Sequence, residues 1–166
     1  MPHASLTIRE AAPSDTPLIL SFIKDLAEYE RLSHEVVATE EILRETLFGD
    51  RRTAEALLGY LDGEPVGFAL FFHNFSTFLG LPGIYLEDLF VKPAARGKGV
   101  GRAMLQRIAA LAKERRCGRV EWSVLDWNEP AIGFYRSLGA VAKDEWTTYR
   151  LTGEALNKFA SEGEGQ

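Results

Sequence analysis

A mixed α/β (α+β) fold, with a mostly antiparallel central sheet flanked by helices, is what this sequence predicts. Three observations carry that expectation. Two apolar runs, Ala56–Leu61 and Val66–Phe72, flank Asp62-Gly63, a dipeptide that favours the tight turn of a β-hairpin. A third apolar run, from Ile84 to Val91, is interrupted by Glu87 and Asp88 and passes through Pro93 and a glycine-rich turn into a long helical pattern. A further strand, Arg119–Leu125, follows that helix, and a strand–helix–strand crossover of this kind is parallel.

The remaining elements follow from periodicity and caps. Leu6 and Ile8 alternate with Thr7 and Arg9, as in a first strand. Ser14 or Asp15 caps a helix with Pro17 in its first turn, and Leu18, Ile19, Phe22, Ile23 and Leu26 share one face. That helix ends in Glu28-Tyr29-Glu30. Thr39 caps a second helix, with Glu40 and Glu41 at its positive end and Gly49 just past its last turn. His73–Gly83 reads as a strand end and a loop. In the long helix Val100, Met104, Leu105, Ile108, Leu111 and Ala112 form a buried stripe. Asn128 caps a short helix with Pro130 in its first turn and Gly139 beyond its end, and Trp146–Leu151 reads as a last strand. The predicted order is β-α-α-β-β-β-α-β-α-β. One domain over residues 1–166 is expected, with its core in about 4–151 and residues 161–166 frayed.

Composition narrows the function. The apolar and charged fractions, 46% and 26%, are those of a globular protein, and 166 residues suffice for one core. A net charge of -5 argues against nucleic acid and suits a cationic small molecule. The single cysteine, Cys117, excludes an internal disulfide and fits a reducing cytoplasm. No secretory signal or membrane span is expected. His3, His34 and His73 have no ligand spacing, so no metal site is expected.

The glycine-rich turn, Arg96-Gly97-Lys98-Gly99-Val100-Gly101, lies between a strand and a helix N-terminus. Backbone N–H groups point outward there, the helix dipole attracts anions, and glycine lets a phosphate approach the main chain. A Walker A loop is excluded because Gly99 follows Lys98. The dinucleotide pattern fails because Arg102 or Met104 occupies its last position. What remains, R-x-x-G-x-G after L-F-V-K-P, resembles the acetyl-CoA pyrophosphate loop of the GCN5-related N-acetyltransferases (GNAT). The resemblance extends through I-K-D-L-A-E-Y-E, Y-L-E-D-L-F-V and W-N-E-P-A-I-G-F-Y-R-S-L-G-A, nearly the whole chain. Among that family it is similar to the diamine (spermidine/spermine-type) and thialysine acetyltransferases. The element order matches as well. The loop F-L-G-L-P-G before Ile84 is slightly longer than the family pattern, which bears on substrate size.

The resemblance implies acetyl-CoA as donor and direct acetyl transfer to the primary amine of a small diamine, polyamine or lysine analogue such as thialysine. It also implies a homodimer. A protein or peptide amine is the alternative acceptor, and a non-catalytic CoA-binding module the alternative from another class. Such chemistry must bind an ammonium that titrates near ~10.4, remove its proton, stabilise an oxyanion and protonate a thiolate.

The family's matching tyrosine donates that last proton, which points to Tyr135; packing with Ile132 and Leu138 is the alternative role. Glu87 corresponds to the substrate-side acid, costly in an apolar strand unless paired or used; an ion pair with Arg119 is its alternative. Asp88 points to the opposite face if the strand is regular. Tyr29 and Glu30 match a pair near the polyamine, although a solvated helix end also explains them. Glu121, Trp122 and Ser123 flank the same cleft, with Trp122 equally suited to the core. Leu89, Phe90 and Val91 would offer backbone groups to the pantetheine arm and one N–H to the oxyanion. Arg96, Gly97, Lys98, Gly99, Val100, Gly101 and Arg102 would surround the pyrophosphate, and Asn128, Pro130 and Ala131 would lie beside CoA.

Overall fold

The structure, a computed structural model, describes residues 5–164. These fall into two compact units divided after Ser123. The first unit contains β1 (Leu6–Glu10), α1 (Thr16–Tyr29), α2 (Glu40–Phe48), β2 (Glu55–Leu61), β3 (Glu64–Ser76), β4 (Leu81–Val91), α3 (Val100–Glu114) and β5 (Val120–Trp122). The second contains α4 (Glu129–Ser137) and α5 (Gly153–Glu164).

The five strands form one sheet in the order β1-β2-β3-β4-β5. All neighbours are antiparallel except β4 and β5, which the α3 crossover makes parallel, as expected. The β2–β3 hairpin turns on Asp62 (φ 51°) and Gly63 (φ 82°). Two positive φ values are what a two-residue type I′ turn requires, and they match the twist of the flanking strands. β3 and β4 run further than the apolar pattern predicts. His73–Ser76 pairs with Leu81–Ile84 instead of forming a loop, because a backbone ladder continues wherever a partner strand lies alongside, whatever the side chains. The turn itself is only Thr77–Gly80.

Strand alternation sends side chains to two covered faces. On one, Ile19 and Phe22 of α1 and Leu43 and Leu47 of α2 pack on Leu58, Phe68 and Phe90. Phe22 and Phe68 stack with ring centroids 5.4 Å apart. On the other, the buried stripe of α3 forms as predicted from Val100, Met104, Leu105, Ile108, Leu111 and Ala112. The helix comes close because Gly59 and Gly67 face it: an added Cβ would lie 3.1 and 3.3 Å from the Met104 sulfur. Thr39 caps α2 by accepting the Ile42 N–H. Asp15 precedes α1 but does not cap it with its side chain. Its carboxylate accepts from the Ala12 N–H at 2.7 Å and from both Arg9 nitrogens, which hold it below the usual carboxylate range.

Two expectations fail in the second unit. Residues 146–151 form no strand among the described residues; a β-forming composition does not by itself make a strand. A helix, α5, follows instead as the last element. It includes Ser161–Glu164, expected to fray; the Ser161 hydroxyl donates to the Asn157 carbonyl at 2.9 Å. Residues 165 and 166 lie outside the described residues.

Candidate active site

The site begins with a register slip. Asp88 of β4 pairs with Leu70 of β3, but the next partner of Phe71 is Leu86, which leaves Glu87 without an opposing residue. An extra residue of this kind is a β-bulge, and it reverses the facing of everything beyond it. Leu86 is buried opposite Phe71, whereas Phe90 packs with Phe22 and Phe68 on the other face. β5 stops at the same place, its last pair being Leu86 with Trp122. From Glu87 to Val91, β4 therefore has no β5 neighbour. Leu89, Phe90 and Val91 are the stretch whose edge the parallel strand leaves uncovered.

The bulge corrects the expectation for the two carboxylates. A regular strand would send Asp88 to the face opposite Glu87. Here both line one cavity of about 420 Å³, together with Glu30 and Glu35. Its apolar wall includes Leu26 at the end of α1 and Val36 beyond the following turn. None of its lining residues is Lys, Arg or His. The second correction concerns which acid is buried. Glu87 is exposed, and Asp88 is the partly buried one. Burial, then the charge of Glu87, then that of Glu30, push the Asp88 carboxyl up to about 7. Glu30 is also raised, by burial. Arg119 is engaged by Glu121, Nε to Oε1 at 3.1 Å, and does not supply the ion pair considered for Glu87.

The wall carrying Glu30 is shaped by the end of α1. Arg31 adopts φ 62°, and the Leu32 N–H reaches back to the Ala27 carbonyl at 2.8 Å. That left-handed residue stops the helix and turns the chain across the cavity. Tyr29 does not line the cavity. Its ring lies 6.5 Å from that of Phe90 and under the Arg96 guanidinium, 4.6 Å from it.

The glycine turn has the conformation that its composition predicts. Gly97 (φ 79°) and Gly99 (φ 83°) are left-handed, and no atom lies within 4 Å of where either Cβ would be. Gly99 is the N-cap of α3 and brings no side chain to the first-turn N–H groups. Lys98 and Arg102 are exposed beside it, whereas Val100 anchors the helix at 1% exposure. Gly101 faces Val91, 3.6 Å from an added Cβ. Open backbone, free N–H groups and two cations fit a pyrophosphate. Arg96 is directed elsewhere: its Nε donates to the Val91 carbonyl at 3.0 Å.

On β5, Glu121 accepts from Asn74 at 3.2 Å; just past the strand's end, the Ser123 hydroxyl lies 2.7 Å from that of Tyr85. Trp122 is partly buried. In the second unit, Asn128 caps α4 by accepting from Ala131 N, with Pro130 in the first turn. Gly139 (φ 89°) ends it, its N–H bonded to the Arg136 carbonyl. Tyr135 is partly buried on that helix, its ring 5.7 Å from Phe134. Two features escaped the sequence reading: the burial of Asp88 and the contribution of Glu35. Neither has a local signature.

Comparison with known proteins agrees with this construction. The acetyltransferase (GNAT) family model matches residues 21–140. The chain belongs to that family and is an N-acetyltransferase; enzymes of this family use acetyl-CoA. It is 39% identical over 168 residues to the thialysine N-epsilon-acetyltransferase of Sus scrofa, covering 95% of this chain and 98% of that one. The L-ornithine N5-acetyltransferase NATA1 of Arabidopsis thaliana is 34% identical, with 90% and 85% covered. Among solved structures, an integron cassette protein of V. cholerae superposes with a TM-score of 0.78 at 28% identity, covering 94% of this chain and 98% of that one. Among the described residues, no helix is long and apolar enough to cross a membrane.

Proposed function

We propose that this enzyme transfers an acetyl group directly from acetyl-CoA to a primary amine of a small diamine, polyamine or lysine analogue such as thialysine. The observation that carries the reading is the cavity at the bulge, with four carboxylates on its lining and no cation among them. Such a lining attracts an ammonium and offers it an acceptor for its proton. The relatives named for thialysine and ornithine support the same class.

Acetyl-CoA supplies an activated acyl group, and the chain's residues do the rest. The glycine turn and the α3 N-terminus hold the pyrophosphate, with Lys98 and Arg102 adding charge. Leu89, Phe90 and Val91 bind the pantetheine arm along the uncovered edge, and one of their N–H groups faces the oxyanion. Glu30 and Glu87 hold the cation. Asp88 takes the proton, directly or through Glu87 and water; a carboxylate pushed up to about 7 matches an amine near ~10.4 better than one near ~3.9. Tyr135 returns a proton to the departing thiolate, and a phenol, near ~10, is neutral and able to donate. Asn128, Pro130 and Ala131 lie beside CoA. Glu121, Trp122 and Ser123 flank the amine.

We place both units in one catalytic domain, since the family match spans the division after Ser123. Exposed Val141, Trp146 and Tyr149 are surface that a second copy would cover in a homodimer. The lone Cys117 supports a reducing cytoplasm.

The test is thiol release from acetyl-CoA across diamines, lysine analogues and peptides. Diamines or lysine analogues should lead the panel by kcat/KM. Preference for peptides would replace the small-amine reading, and binding of acetyl-CoA without turnover of any amine would overturn it.

A further inference from the structure

We propose that Arg96, the first residue of the pyrophosphate motif, is a positioning residue for the amine cavity and not a ligand of the acyl donor. This rests on the small-amine reading above. Three contacts carry it. The Nε donates to the Val91 carbonyl at 3.0 Å, which ties the side chain back to the end of β4. The guanidinium carbon sits 4.6 Å from the centroid of the Tyr29 ring. It is also 5.6 Å from that of Phe90.

Those contacts join the glycine turn to the C-terminus of α1. Tyr29 is the last residue of that helix, and the next residue, Glu30, lines the cavity. Beyond it Arg31 turns left-handed and the three residues Ser33–Glu35 make a short 3₁₀ turn, so the chain changes direction at this point. A cation at a helix C-terminus is favourable by dipole, and a guanidinium over a tyrosine adds a flat, directional contact. Packing the Arg96 guanidinium against both the Tyr29 and the Phe90 ring sets where Glu30 stands relative to Asp88, whose carboxyl it influences. The backbone glycines, Lys98 and Arg102 suffice for the phosphates without Arg96.

Arg96→Lys tests this, because lysine keeps the charge a phosphate needs but loses the planar face and the Nε–H. With thialysine or a diamine as substrate, the amine KM should rise about 3- to 30-fold, the worth of a guanidinium–aromatic contact. Acetyl-CoA affinity, measured calorimetrically without amine, should change less than about twofold. Tyr29→Leu should raise the same KM, and the double variant should show little beyond the larger single effect. A thermal melt checks folding. If Arg96→Lys does not fold, Tyr29→Leu alone decides: a rise in amine KM at constant acetyl-CoA affinity supports the inference, and any other result overturns it. An acetyl-CoA loss exceeding the change in amine KM, or additive effects in the double variant, overturns it too. A wild type that binds acetyl-CoA but acetylates no amine removes the small-amine reading and this inference with it. An active wild type with an unshifted amine KM in the variant removes this inference alone.

Discussion

The glycine turn and the β4 bulge both depart from regular backbone, and both position charge, but they are built from opposite materials. Gly97 and Gly99 hold left-handed angles that side-chain-bearing residues resist, so the turn is written into its composition. The bulge uses two ordinary residues, Glu87 and Asp88, neither with a positive φ. It changes which way side chains face without changing what the sequence looks like. A motif built from backbone conformation is therefore readable, whereas one built from register is not.

Four experiments break or sharpen that contrast. The largest effect belongs to the bulge. Asp88→Asn keeps shape and removes the proton acceptor, so kcat should fall about 100- to 10,000-fold, the usual range for general acid–base catalysis. Wild-type activity should rise with pH through the neutral region as Asp88 ionises, and the variant's residual activity should lack that step. A loss under about threefold, with the pH step intact, returns Asp88 to packing.

The turn comes next. Gly99→Asp adds a Cβ at a left-handed angle, costing up to roughly 1–2 kcal/mol, and sets a negative charge against the pyrophosphate. Acetyl-CoA affinity should drop by about tenfold or more, read by calorimetric titration of the folded variant. Equal affinity in both proteins would remove the pyrophosphate assignment.

Glu87→Gln should do less than either, because Glu87 is exposed and its charge is screened. A rise of about 2- to 10-fold in amine KM with nearly constant kcat is the expected result. A kcat collapse as deep as that of Asp88→Asn would make Glu87 the base and Asp88 its support.

The smallest effect is on stability. The folded Asp88 carboxyl is raised to about 7 from an ordinary 3.8, so the folded state binds its proton more tightly than the unfolded chain does. The contribution is complete below the unfolded value and is lost as pH rises through the folded one. Melting curves should show wild type losing stability between pH 5 and pH 8 relative to Asp88→Asn, by on the order of 1–3 kcal/mol. Parallel curves for the two proteins would mean that Asp88 is ordinary in the folded state.

Much of the first unit was legible because its signals are local. Asp62-Gly63 permits the two left-handed angles of its turn, Thr39 offers a hydroxyl to an orphan N–H, and the α3 stripe repeats at helical spacing. The glycine turn and the Asn128 cap belong to the same kind. Where the reading failed, the cause lay elsewhere in the chain. His73–Ser76 became strand because Leu81–Ile84 lies beside it, and 146–151 shows that β-forming composition alone makes no strand. A regular strand puts Glu87 and Asp88 on opposite faces, whereas the bulge brings both to one cavity and leaves Asp88 the more buried. For Arg96 the motif gives the place in the turn, and only the fold shows that its Nε and ring contacts are made with Val91, Tyr29 and Phe90.

By itself, then, the sequence determined the α3 stripe, the Thr39 and Asn128 caps, the hairpin turn and the left-handed glycine turn, since each depends on residues a few positions apart. Only the tertiary structure decided that Glu30, Glu87 and Asp88 share one cavity, and which of them is shielded from water. The physical reason is that desolvation is a property of what packs around a group. The same carboxyl is an ordinary acid on a surface and one titrating near neutrality behind α1.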